Sequence, residues 1–368
     1  MRDLLELRDF YREANSAALD LVLGICRNIV VEPMIAEKIR LGLSLGPLLE
    51  MIAHVTSRLK EIADQPVLEN SIARLDNARD LDVRSISRKA ALLGEELKQY
   101  VLFGPDISVL SRITENFPEG AQVFASMSAE DLPRLPARDP SLRHSRDKPF
   151  RFPEDENIIA QESNYLGFLF YVLIDVEISA MEICAYMALR NRDMPDEFAL
   201  DMARQIWDEA RHAEYVFRNY TALGGEMSFF AYTNVVIDRF NAASDLVDGL
   251  LVQQVLQESN AVENNIALAN HLAAAGRNEE ALSFLVINND EALHARIGFR
   301  WIEYLAEKNS LPSDYLFART LHMSRKVGLP LFGMGSWTDI VRTSIGYPEW
   351  LMHKKTYFGE FFSRPPAR

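Results

Sequence analysis

Apolar residues recur at intervals of three and four along most of this chain, a spacing that predicts helices rather than strands. The pattern runs through Leu4, Leu7, Tyr11 and Ala14, then through Met34, Ile35, Ile39, Leu41 and Leu45, and returns from about Val83 to Phe103. Residues 1–103 therefore read as a helical N-terminal region. Pro33 suits the first turn of a helix, where its missing N–H would have had no partner anyway. Residues 104–156 read as a connector, because prolines at 105, 118, 133, 136, 140, 149 and 153 exclude long helices there. From 157 to 310 only Pro195 interrupts the pattern, and four long helices fit: Asn157 to Arg190, Pro195 to Leu223, Ser244 to Ala275 and Asn278 to Lys308. Gly224-Gly225 and Gly276 supply stops. Short joints make the first two helices one antiparallel hairpin and the last two another. The longer connection 226–243 has room for a short helix of its own. After Pro312, residues 311–368 read as an irregular aromatic extension packing back on the bundle. The fold class expected is all-α: a four-helix bundle with a helical N-terminal region and a C-terminal extension.

Composition narrows the class of molecule. With 368 residues the chain is long for one domain, and 48% apolar residues allow a sizeable core. Two cysteines far apart, Cys26 and Cys184, give no disulfide framework and fit a reducing cytoplasm. The N-terminus mixes charges into its apolar residues, unlike a signal peptide, and no uncharged apolar run is long enough to span a membrane. The expectation is a cytoplasmic protein without membrane contact. A net charge of −14 argues against nucleic acid as a partner. One stretch runs the other way: Arg134, Arg138, Arg143, His144, Arg146, Lys148 and Arg151 make the connector basic. It reads as a loop pinned to an acidic bundle by ion pairs, with an anionic or nucleic-acid contact as the alternative.

The candidate chemistry lies in a repeat. Asp208-Glu209-Ala210-Arg211-His212-Ala213 is echoed by Asp290-Glu291-Ala292-Leu293-His294-Ala295, and upstream Glu177-x-x-x-x-Glu182 is echoed by Glu258-x-x-x-x-Glu263. Two copies of one unit result, a glutamate followed about 32 residues later by Glu-x-x-His. Residues three apart on a helix share a face, so Glu209 with His212, and Glu291 with His294, can reach one point. A lone Glu-x-x-His is a weak signal; its weight comes from the duplication. Glu177, Glu209, Glu258 and Glu291 each stand on an apolar stripe, such as Met202, Ile206, Ala213 and Val216 around Glu209. Uncompensated carboxylates in a core are prohibitive. Two divalent cations balance four carboxylates, and two neutral imidazoles complete the set. Oxygen and imidazole donors suit iron or manganese rather than thiolate-bound zinc.

With these residues the chain resembles the di-iron carboxylate branch of the ferritin-like superfamily, which includes the ribonucleotide reductase small subunit, bacterial multicomponent monooxygenases, acyl-carrier-protein desaturases and rubrerythrins. The pattern there is an acidic residue, roughly thirty residues, then Asp-Glu-x-Arg-His. Glu177 and Asp208–His212 match it in full; the second copy, Glu258 and Asp290–His294, departs at Leu293. The resemblance covers about residues 157–308, and the chain is also similar to uncharacterised ferritin-like proteins. It implies that Glu177 and His212 are terminal ligands of one metal and Glu258 and His294 of the other, with Glu209 and Glu291 bridging. It further implies that Asp208 and Asp290 each accept a hydrogen bond from the histidine of the opposite motif.

The function expected is a non-haem di-iron, or manganese–iron, oxidase or oxygenase. It would act with O2 on a small organic substrate, with an external electron donor, and a homodimer is compatible. The alternatives are a ferroxidase that stores iron, against which the long extensions weigh, and a tRNA-modifying hydroxylase, for which the basic connector is the sole hint. Val216 stands where the reductase small subunit keeps its radical tyrosine, which argues against that role. Ile287 stands where some N-oxygenating relatives carry an extra histidine. Glu182 and Glu263, five residues past Glu177 and Glu258, are turned about 140° from the ligand face and read as non-ligands. Cys184, Tyr165, Tyr171 and Trp207 read as core packing, and His54, His144, His271, His322 and His353 as structural or exposed.

Overall fold

The computed structural model describes residues 18–63, 137–145, 162–329 and 342–352. Helices α1 (residues 18–31), α2 (Ile35–Leu43) and α3 (Leu45–Ala63) form the described N-terminal part. Pro33 precedes α2 instead of entering its first turn, and Met34 is the N-cap residue. The predicted helical patterns at Leu4–Ala14 and Val83–Phe103 lie outside the described residues.

Four long helices carry the rest, packed in the manner of a helical bundle. Helix α4 comprises Glu162–Tyr171, a π-helical stretch Val172–Glu177, and Ile178–Arg190. Its partner α5 is Asp196–Ala222, opening just after Pro195, with two acidic residues in its first turn that suit the positive end of the helix. A crossover holds the short helix α6, Val235–Phe240. Helix α7 comprises Leu246–Leu250, a second π-helical stretch Leu251–Glu258, and Ser259–Ala274; α8 is Asn278–Lys308. The observed limits fall within a few residues of those the periodicity predicts. Helix α4 packs on α5, α7 on α8, and α5 meets α8 across the middle. The two π-helical stretches were not predicted, and each ends on one of the upstream glutamates, Glu177 and Glu258.

One sequence-based expectation needs correction. Residues after Pro312 are not irregular throughout: Ser313–Val327 form helix α9. Pro312 caps its start, Leu316, Phe317, Thr320 and Met323 give it an inward face, and Gly328 ends it with φ of 68°, a backbone state that costs glycine nothing. The helix packs back on α7 as the extension was expected to, with Arg319 bonded to Asp245 and to Asp248 Oδ1 (2.6 Å) at the α7 N-terminus. The mostly helical fold also holds one short pair of strands. In the connector, β1 (Arg143–His144) pairs in parallel with β2 (Ala231–Tyr232). Among the described residues no helix is long and apolar enough to cross a membrane.

Among the described connector residues, Arg138 makes the kind of ion pair expected there, while Arg143 bonds the backbone oxygens of Ser228 and Phe229. Arg138 reaches Glu182 on α4, where Lys38 of α2 also binds, and all three side chains are at most 4% exposed. The N-terminal helices sit close: a Cβ on Gly42 would meet Ala210 Cβ and Met181 Cε at 2.6 Å, and one on Gly46 would strike the Trp207 ring.

Candidate metal centre

The repeat brings its six predicted ligands to one place. Glu177 comes from α4, Glu209 and His212 from α5, Glu258 from α7, and Glu291 and His294 from α8. All six are buried, none more than 4% exposed. They form two overlapping sets, Glu177–Glu209–His212–Glu291 and Glu209–Glu258–Glu291–His294, each with donor atoms within 4.8 Å of one another. Glu209 and Glu291 belong to both sets.

The histidines are aimed. His212 Nδ1 lies 3.2 Å from Glu209, 3.5 Å from Glu177 and 3.7 Å from Glu291. His294 Nδ1 lies 3.2 Å from Glu209, 3.3 Å from Glu291 and 3.8 Å from Glu258. The other nitrogen of each ring points outward to the opposite motif: His212 Nε2 is 3.1 Å from Asp290 and His294 Nε2 is 3.5 Å from Asp208. An ionised carboxylate only accepts, so an aspartate beside Nε2 places the proton there and leaves Nδ1 free to donate electrons inward. Arg211 bonds both aspartates, Asp290 at 3.0 Å, and Arg204 adds a contact to Asp208 at 2.9 Å. One arginine thus serves both motifs, which accounts for Leu293 in the second copy. Trp207 is stacked between Arg204 and Arg211, 4.9 and 4.6 Å from ring centre to guanidinium.

The electrostatics of the cluster favour positive charge among its carboxylates. Burial pushes the Glu177 carboxyl up to about 8. Burial also drives Glu291 well above the carboxylate range, reinforced by Glu209 and Glu258 beside it. Burial would raise Glu209 too, but His294 and His212 outweigh it and hold it well below. Both imidazoles are held well above their ordinary value: burial opposes their charge, and the surrounding carboxylates outweigh it. Glu177 Oε2 is buried without a hydrogen-bond partner and faces this cluster. Four carboxylates and two imidazoles, converging in an apolar core with one oxygen orphaned, fit divalent cations.

The neighbouring candidates fall elsewhere. Glu182 binds Lys38 and Arg138, and Glu263 receives Arg342 Nε at 2.7 Å, so neither joins the ligands. Cys184 and Cys26 are buried free thiols whose burial raises them. His144, His271 and His322 are exposed, while His353 and the His54 side chain lie outside the described residues. The periodicity did not single out Gln205, Gln253 and Gln254, which are buried beside Glu258. Their signal was present: two amides in the otherwise apolar run Leu250–Leu256.

No curated protein and no solved structure matches this chain. A family of proteins of unknown function matches residues 107–331, a span that contains all six converging ligands and both aspartates. By that match, which takes in more than half its length, the chain belongs to the family described as DUF455.

Proposed function

We propose that this chain is a ferritin-like di-metal carboxylate enzyme, an oxidase or oxygenase that holds two irons, or one manganese and one iron, and acts with O2 on a small organic substrate. The observation that carries the proposal is the pair of interlocking donor sets sharing Glu209 and Glu291 inside an apolar core. Glu177 and His212 would hold one ion, Glu258 and His294 the other, with Glu209 and Glu291 between them. Two divalent ions offset four carboxylates. When bound, a reduced pair supplies the electrons that O2 requires, redox chemistry that no side chain here provides.

The protein's own contributions follow from its residues. Asp290 fixes the His212 imidazole through its outer nitrogen, and Asp208 faces the outer nitrogen of His294 at 3.5 Å. Met181, Met202, Ile206 and Val255, on the same helices as the ligands, are all fully buried, so the ligands stand in an apolar core. Four protein residues per ion, two of them shared carboxylates, would leave room for an exogenous ligand.

The enzyme reading is favoured over storage by the flanks. Lys38 and Arg138 on Glu182, and Arg342 on Glu263, tie the N-terminal helices, the connector and the C-terminal extension onto outer faces of the bundle. A storage shell needs such faces for its neighbours. A nucleic-acid role loses support because Arg138 is committed to Glu182 and Arg143 donates to the backbone oxygens of Ser228 and Phe229.

Metal analysis of protein purified without added metal tests the proposal. Two equivalents of iron or manganese per chain are expected, lost in Glu209→Ala. A metal-free wild type that takes up neither ion refutes it. Size-exclusion chromatography should give a monomer or dimer, and a multi-subunit cage would favour storage instead.

A further inference from the structure

The two halves of the repeat are not chemically equal around the ligands. Gln205 Nε2 donates to Glu258 Oε1 at 2.8 Å and to Glu209 Oε1 at 3.2 Å, and Gln253 Nε2 donates to the same Glu258 oxygen. Behind these, Gln254 Nε2 donates to Gln205 Oε1 and Gln257 Nε2 to Gln253 Oε1, both at 2.7 Å. The amide orientations are forced. A carboxylate only accepts, so Gln205 and Gln253 must turn their NH2 groups toward Glu258 and their oxygens toward Gln254 and Gln257. Two short amide relays therefore converge on one carboxylate oxygen.

Superposing the repeat on itself, with Glu177 on Glu258 and Glu209 on Glu291, places Val172, Leu173 and Val176 where Gln253, Gln254 and Gln257 stand, and Ile287 where Gln205 stands. No amide stands at those positions for Glu177, whose Oε2 instead lies 3.5 Å from His212 Nδ1. Helices α7 and α8 come close behind the relay: a Cβ on Gly298 of α8 would meet Gln254 Cβ at 2.1 Å. Amide donors hold the Glu258 side chain still and leave Oε2 as the oxygen facing the centre, 3.8 Å from His294 Nδ1.

We propose that the two metal positions are inequivalent, and that the amide relays make the Glu258–His294 position the tighter one, filled first by a divalent ion, while the Glu177–His212 position fills second. This inference rests on the di-metal reading above. Outer hydrogen bonds to a ligand change metal affinity by about 10–100-fold, so a separation of at least about tenfold between the two dissociation constants is expected.

The experiment is anaerobic calorimetric titration of the metal-free full-length chain with Fe2+, repeated with Mn2+. Wild type should bind in two steps of one equivalent each. Glu177→Ala should retain the tight step, whereas Glu258→Ala should lose it. Gln205→Leu combined with Gln253→Leu should weaken the tight step about tenfold and bring the two together. Should that double variant fail to fold, Gln253→Leu alone and the two glutamate variants still decide the order. Two indistinguishable steps in wild type, or a tight step that survives Glu258→Ala and disappears in Glu177→Ala, would overturn the inference while leaving the di-metal reading intact. Absence of binding to wild type overturns both.

Discussion

Replacing Glu182 with glutamine removes the anion on which two buried cations depend. The Lys38 and Glu182 side chains are both 0% exposed and Arg138 is 4% exposed. Burial drives the Lys38 ammonium below its ordinary value, and Glu182 opposes that shift. Lys38 Nζ would keep its hydrogen bond to the Ile29 carbonyl (2.9 Å), and Arg138 its bond to Ser179 Oγ (3.1 Å), but neither acceptor carries charge. Breaking a buried pair by removing one partner costs about 3–5 kcal/mol. Two cations share this single carboxylate, so the upper end is expected. Against a typical domain stability of about 5–15 kcal/mol the loss is large. Lys38→Met should cost less, because Glu182 keeps Arg138, and the double change Lys38→Met with Glu182→Gln should recover part of the Glu182→Gln loss, because only Arg138 is then left without its carboxylate. Urea denaturation of the four proteins, closed into a double-mutant cycle, reads these differences. A Glu182→Gln protein within about 1 kcal/mol of wild type would refute the claim that this carboxylate is what binds the N-terminal helices and connector to α4.

Three further outcomes follow from the same contacts. Gly298→Ala gains about 1 kcal/mol of helix propensity but drives Cβ into Gln254, an overpacking cost of about 1–3 kcal/mol, so thermal unfolding should show net destabilisation; a more stable variant would mean the close approach is absent. The Asp248 carboxylate would be raised by burial, but Arg319 and Ser244 outweigh this and hold it below its ordinary value of 3.8. Its contribution is therefore present above pH 3.8 and lost as pH falls further; urea melts should show Asp248→Asn about 1–3 kcal/mol weaker at pH 7, a gap that closes below pH 3.8, and a gap independent of pH would contradict the assignment. Asp290→Asn, which removes the fixed acceptor for His212 Nε2, should weaken metal binding about 10–100-fold with little effect on the helical circular dichroism spectrum.

What could be read from the chain, and what could not, divides along physical lines. Helix periodicity and the Pro195 and Gly276 boundaries gave the long helices, because burying one face is a property of the local sequence. The spacing of Glu209 with His212 and Glu291 with His294 placed them together for the same reason. The 140° turn to Glu182 and Glu263 likewise put them off the ligand face, where Lys38, Arg138 and Arg342 meet them. The π-helical stretches were not legible, since one extra residue in a helical turn leaves no mark in a pattern of apolar residues. Helix α9 was missed because Pro312 and the aromatic residues beyond it suggested a break, when the proline stands at the helix start. The buried glutamines were passed over because polar residues in an apolar run carry no partner's name. Only the fold brings Gln205 from α5 to Glu258 on α7.

The most direct measurement is anomalous X-ray diffraction at the iron and manganese edges from crystals of protein purified without added metal. The account predicts two peaks about 3.5–4 Å apart, flanked by Glu209 and Glu291, with His212 beside one and His294 beside the other. A single ion, or peaks remote from these residues, would contradict it.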